Sequence, residues 1–260
     1  MKDRPLHAST EKVARAERKF RDLMGMINAY LDRDTYSVTA EQRDGRIYVI
    51  ARLEKELPSD IAFETVEIIG HLRGALEKIV MAMVASNGRG TAGVGFPFGG
   101  LGKDGQPEPF PGPRFDDMRK KLTEDQWDFL AGHKPYPGGN DLLWAVNELA
   151  NVDKHKDGLV ELQPDFNHSA LIGRAGSNTI MTNVRVGVEE DQWLVAAERG
   201  AKVLASYDAV GLNNRMDFEI NKHVVFGDGL SLRGQNVLST LNKQIRLTKS
   251  MVALCKQRFF

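Results

Sequence analysis

Glu67, His71, Gly74 and Lys78 recur at i, i+4, i+7 and i+11, a spacing that puts all four on one side of an α-helix. A carboxylate, an imidazole and an ammonium in one row can hold a polar ligand or pass a proton. Glu67 beside His71 should favour the imidazolium and raise the histidine's pKa. Arg73 stands two positions from His71, on another face, and is spaced to pair with Glu77 at i+4.

A second polar set lies in segment 141–156. Asn147, Asn151 and His155 step by four along one face, with Asp153, Lys154 and Lys156 beside them. The dipole favours cations near a helix C-terminus, which explains the basic residues without any function. It does not explain two asparagines, which form helix poorly. Their amides are therefore expected to bond either another element's backbone or a ligand. The candidate ligand-binding residues are Glu67, His71, Arg73, Lys78, Asn147, Asn151, Asp153, Lys154 and His155, with His155 also the candidate catalytic residue. Two helices packed side by side would bring the rows together, Glu67 and His71 facing Asn147 or Asn151, where burial in isolation would be costly.

Other spacings point away from familiar chemistries. Gly88-Arg89-Gly90-Thr91-Ala92-Gly93 has the formal G-x-G-x-x-G pattern, but a helix precedes it and a glycine-rich loop follows, the reverse of a dinucleotide site. At Gly102-Lys103 the next residue is Asp104, where a phosphate loop needs a hydroxyl for magnesium. Glu67, His71, Asp153 and His155 could supply metal ligands, yet no H-x-x-x-H or paired-cysteine spacing supports this, so neither metal nor cofactor is expected. Cys255 falls on an apolar stripe, the setting of a buried inert thiol.

The elements that must position these residues follow from periodicity. Val13, Ala16, Phe20, Leu23, Ile27 and Tyr30 alternate steps of three and four, predicting a helix over 9–32 with Ser9 as its cap. A hairpin of 35–43 and 46–54 turns at Asp44-Gly45, with Ile47, Val49, Ala51 and Leu53 as its buried face. Thr65, Ile69, Leu72, Leu76, Ile79 and Met83 make 59–86 a long apolar helix that should be central and contacted from more than one side, ending at Asn87-Gly88. Residues 87–113, rich in glycine and proline, read as a long excursion pinned by the rings of Phe96 and Phe98. Helices near 114–121, 124–131 (capped by Thr123) and 141–156 (starting at Asp141) follow.

From 158 to 226 the period changes to two, as in Ile180, Thr182, Val184, Val186 and Val188, and in Met216, Phe218 and Ile220. Five or six strands are expected there, mostly antiparallel because the gaps are too short for crossover helices. Leu238, Leu241, Ile245, Thr248, Val252, Cys255 and Phe259 return the chain to helix over 235–258. The fold class is α+β: a helical core around one long central helix, an antiparallel β-sheet region and a C-terminal helix. One compact unit is expected over 1–260, with the helical motif region at about 59–157.

Thirty-five basic and thirty-five acidic residues cancel, which disfavours a general nucleic-acid coat. Locally the balance differs, for six basic residues and no acidic one follow Gly229. No apolar run is long enough to span a bilayer, and MKDRPLHAST lacks a signal peptide's apolar stretch, so a cytoplasmic protein without a membrane partner is expected.

The segments EIIGHLRGALEKIVMAMV (67–84), FPF (96–98) and LLWAVNELANVDKHK (142–156) together resemble a widespread bacterial family of uncharacterised proteins. Its members read roughly D-x-L-H-N-L-R-x-A-L-D-H, then an F-P turn, then L-x-x-L-x-N-I-D-K-H-R. The resemblance spans about residues 60–157 and is best at Asn151, Asp153, Lys154, His155 and Lys156; it carries no established activity. The first segment also resembles the R-x4-H element of HEPN-type ribonucleases, with Arg73 as the arginine and Lys78 where the histidine falls. Lysine there removes that chemistry's acid–base group.

Two classes of function follow. The first, and the one expected, is a binding or interaction protein whose polar rows line a groove for an unknown ligand or protein partner, and which forms a homo-oligomer. The alternative is an RNA-processing HEPN-like nuclease or its non-catalytic relative, with Arg73, Lys78 and Lys154 on RNA phosphate and His155 as proton shuttle.

Overall fold

Apolar stride and turn chemistry together set where the elements begin and end. A computed structural model describes residues 5–151, 159–166, 180–186, 192, 195, 201–210, 220–228 and 230–260. The order is α1 (His7–Leu31), β1 (Tyr36–Arg43), β2 (Arg46–Leu53), α2 (Ser59–Ser86), a 3₁₀ turn (Pro113–Phe115), α3 (Asp116–Arg119), α4 (Glu124–Gly132), α5 (Asp141–Asn151), β3 (Val160–Phe166), β4 (Ile180–Val186), β5 (Lys202–Val210), β6 (Ile220–Phe226) and α6 (Val237–Phe259). The chain is α+β, with antiparallel pairing in its larger sheet and a helix near its C-terminus. No helix among the described residues is long and apolar enough to cross a membrane. Contacts group the chain into two compact units, residues 1–25, 59–160 and 226–260 in the first, 26–58 and 161–225 in the second.

In the first unit, α2 is the central element. Twelve of its residues are buried, from Ile61 to Val84, and it packs on both α5 and α6, which also touch each other. Ile68, Ile69, Leu72, Leu76, Ile79 and Met83 are fully buried; each contributes on the order of 1.5–3 kcal/mol. The helix stops because Gly88, at φ +69°, takes the left-handed conformation, letting Gly88 N–H and Arg89 N–H donate to the carbonyls of Ala85 and Val84. Along α6, Leu241, Ile245, Thr248, Val252 and Cys255 are buried, and Asn236 caps its start by accepting from Ser239 N–H at 2.9 Å.

One expected cap, Ser9, is not made. α1 begins at His7, so Ser9 lies inside the first turn, where it cannot adopt the extended conformation of a cap. It is fully buried, and Thr10 donates its hydroxyl to the Leu6 carbonyl at 3.0 Å. α5 starts at Asp141 as expected; the Asn140 side-chain oxygen before it accepts from Leu143 N–H at 3.1 Å, and Asp141 accepts from Gly138 N–H at 2.8 Å. Thr123 does cap α4, in a capping box with Gln126. The expected continuation of α5 over 152–156 lies outside the described residues.

The excursion over 87–113 is pinned to the helices at several points. The buried rings of Phe96 and Phe98 sit 4.8 Å apart, and the Trp144 indole donates to the Gly99 carbonyl at 3.1 Å. Arg114 donates to the Phe98 carbonyl at 2.5 Å. At its root, the Asn87 amide donates to the Lys121 carbonyl at 3.0 Å and to Gln126 Oε1 at 2.8 Å.

The second unit holds a four-stranded sheet in the order β1-β2-β5-β4, with β3 and β6 as a separate pair. Asp44 and Gly45, at φ 51° and 78°, form the tight turn of the β1–β2 hairpin. Burial along β2 differs from the alternation expected. Ile47 to Ala51 are all buried, and Leu53 is half-buried. β2 is an interior strand covered on both faces: Ile47, Val49 and Ala51 join Leu204, Ala205 and Tyr207, whereas Tyr48 and Ile50 join Val195 and Val203. Between 158 and 226 four strands are described; Val188, Met216 and Phe218 lie outside the described residues.

Candidate functional site

At 3.6 residues per turn, two positions along a helix are about 200° apart. His71 and Arg73 therefore address opposite sides of α2, and the structure gives each side a different neighbour. α2 and α5 do pack together as expected. The residue that meets α5, however, is Arg73, whose Nη1 donates to Asn151 Oδ1 at 2.7 Å. Its Nε lies 3.3 Å from Glu77 Oε1, the i+4 pair foreseen from spacing. Asn147 is half-buried and has no hydrogen-bond partner among the described residues.

Glu67 and His71 instead face α1. On that helix Lys12, Arg15 and Lys19 recur at i, i+3 and i+7, so they too share a face. Lys19 bridges two acids of α2, forming a close ion pair with Glu67 and a second one with Glu64 at 3.1 Å. Hydrogen bonds that the Lys19 ammonium donates to Glu67, then Glu64, hold it above the usual lysine range. Further along, the stem of Lys12 crosses Gly74. A Cβ placed on Gly74 would lie 2.9 Å from the Cε and Nζ of Lys12. The glycine in the polar row is the space in which a lysine lies.

His71 sits between these two contacts and is half-buried. Its pKa is lowered, first by burial and then by Lys12 and Arg15; Glu67 acts in the opposite sense but does not prevail. This reverses the expected pairing of Glu67 with a charged His71. Lys19 has taken the carboxylate, so the imidazole faces cations and its neutral form is favoured. Neither Lys12 nor Arg15 has an ion-pair partner among the described residues. The seam between α1 and α2 thus presents three cations against two carboxylates, a net excess of one positive charge, around an imidazole whose neutral form is favoured.

The rest of the candidate set does not converge there. The Lys78 ammonium lies 3.4 Å from Met81 Sδ on its own helix. Asp153, Lys154 and His155, including the candidate proton shuttle, lie outside the described residues. Among the described residues no three of His, Cys, Asp and Glu cluster as a metal site would require. The three α1 cations were absent from the candidate set, although the stepping rule that found the α2 row also finds them.

An open cleft of about 620 Å³ lies elsewhere in this unit, where Phe129 and His133 of the α4 end meet Leu254 and Arg258 of α6. His133 Nδ1 is 2.7 Å from the Phe129 carbonyl, a bond that engages that nitrogen within its own helix. Cys255, one residue from Leu254, is buried, and burial pushes its thiol up to about 12. It is not a nucleophile in this setting.

No protein-family model matches this chain, and neither a curated protein nor a solved structure matches it significantly.

Proposed function

We propose that the protein is a binding protein whose ligand occupies the polar seam between α1 and α2, in contact with His71, Lys12 and Arg15. The observation that supports this reading is the charge imbalance at the seam. Lys19 is taken up by Glu64 and Glu67, while Lys12 and Arg15 act on a half-buried imidazole and have no ion-pair partner of their own among the described residues, so the three cations exceed the two acids by one charge. Like charges held on one helix face repel, and a ligand that relieves the repulsion is bound more tightly for it.

The nuclease alternative draws less support. Its arginine, Arg73, is engaged by Asn151 and Glu77, and Lys78 lies against Met81 rather than beside Arg73. A purified preparation should therefore degrade neither RNA nor DNA, with or without divalent metal, and His155→Ala should mainly lower stability. His155-dependent cleavage would reverse the ranking. A small-molecule screen read by NMR should yield ligands that move the signals of Lys12, Arg15, His71 and Gly74. Hits that move only other signals would count against the seam.

A further inference from the structure

The seam's chemistry narrows the class of ligand, an inference that rests on the reading of α1–α2 as the binding site. Lys12 supplies a point charge with three donors, Arg15 a planar fork of donors, and His71 a ring nitrogen that can donate. They come from two helices and so approach from different directions, Lys12 across Gly74 and His71 from the turn before it. A carboxylate offers two coplanar oxygens and one negative charge. A phosphate offers oxygens in tetrahedral array and up to two charges, which suits two cations and a third donor.

We propose that the α1–α2 seam binds a phosphate group, free or as a phosphomonoester, through Lys12 and Arg15 with His71 as the third donor. Lys19 pairs with both Glu64 and Glu67, and the three cations of α1 still exceed these two carboxylates by one charge, which favours an anion. The charged groups acting on His71 are Lys12, Arg15 and Lys19 from α1 and Glu67 from its own helix. A bound dianion offsets that field, so binding favours the imidazolium and, by linkage, promotes proton uptake.

The test uses the full chain and four probes: inorganic phosphate, a nucleoside monophosphate, sulfate and acetate, each titrated by calorimetry while His71 is followed by NMR. Phosphate or the monophosphate should bind at least about tenfold more tightly than acetate and raise the His71 pKa. Lys12→Gln and Arg15→Gln should each weaken binding by about tenfold or more, the scale of one charge-assisted contact. Preference for inorganic phosphate over the monophosphate would identify a free-anion site, and the opposite order a phosphomonoester site. If acetate binds as tightly as phosphate and moves the same signals, the phosphate inference fails while the seam remains the site. If every anion leaves His71 unmoved, and ligands from the screen bind equally well to both variants, the seam itself is refuted.

Discussion

Gly70 and Gly74 offer a matched pair of perturbations, because both interrupt α2 and only their surroundings differ. A glycine inside a helix costs about 0.8–1 kcal/mol relative to alanine. At Gly70 a new Cβ meets nothing within 4 Å, so Gly70→Ala should recover that full amount. At Gly74 the new methyl would sit 2.9 Å from Lys12 Cε and Nζ and 3.0 Å from Cδ, too close for the lysine to stay. The displaced atoms are the flexible end of a side chain, so the helix gain should survive in part, at about 0.3–0.8 kcal/mol. Gly74→Ala should then stabilise the protein while weakening phosphate binding, whereas Gly70→Ala stabilises it and leaves binding unchanged. Urea unfolding followed through α2 amide exchange gives the stability terms, and calorimetry with inorganic phosphate gives the affinities. Equal affinities for the two variants would refute the placement of Lys12 across Gly74, and a destabilised Gly70→Ala would show that the α2 surface there is covered.

His71 should titrate below the ordinary histidine value of about 6.5 in ligand-free protein. Between the folded and unfolded pKa the unfolded chain binds more protons, so its contribution to stability is present above about 6.5 and lost as pH falls through the lowered folded value. NMR titration giving a normal or raised value would contradict this, and Lys19→Gln, which removes one of the cations acting on His71, should move the value upward. Cys255 should react with a thiol reagent at pH 8 no faster than the first unit opens, since it is fully buried with its pKa near 12; immediate labelling would be inconsistent with that burial. Asn87→Ala should cost about 1–3 kcal/mol in urea unfolding, because it removes the side-chain donor to the Lys121 carbonyl and one of the two donors to Gln126 Oε1, the other being Thr123 N–H. A loss under about 0.5 kcal/mol would mean that the excursion is not anchored at its root.

The legible parts of the fold are those set by local chemistry. The limits of α2 follow from an unbroken apolar stride closed by Asn87-Gly88, and the hairpin follows from Asp44-Gly45, whose left-handed backbone no other nearby pair supplies as readily. Thr123 could be read as a cap because Gln126 three residues on completes the box. Ser9 was less legible. It has a capping residue type, but α1 starts two positions before it, and only the backbone conformation says which residue is the extended one. The two-sided burial of β2 was hidden for a different reason: alternation shows which residues share a face, while coverage of the second face comes from residues far along the chain, Val195 and Val203.

The site failed in sequence for that same reason, and its electrostatics show why the outcome is nevertheless physical. The row Glu67, His71, Gly74 was correctly placed on one side of α2, but periodicity does not name what lies opposite. A carboxylate between a histidine and a lysine must choose. The lysine is already charged at neutral pH, its ordinary pKa being about 10.4, so pairing with it requires no proton uptake. Charging an imidazole of pKa about 6.5 at pH 7 costs about 0.7 kcal/mol before its burial is counted. Glu67 therefore pairs with Lys19 once α1 brings it within reach, and His71 is left neutral among Lys12, Arg15 and Lys19. The consequence runs against the first expectation: the carboxylate does not prevail at the histidine, and an anion that enters the seam would favour the imidazolium where Glu67 does not suffice.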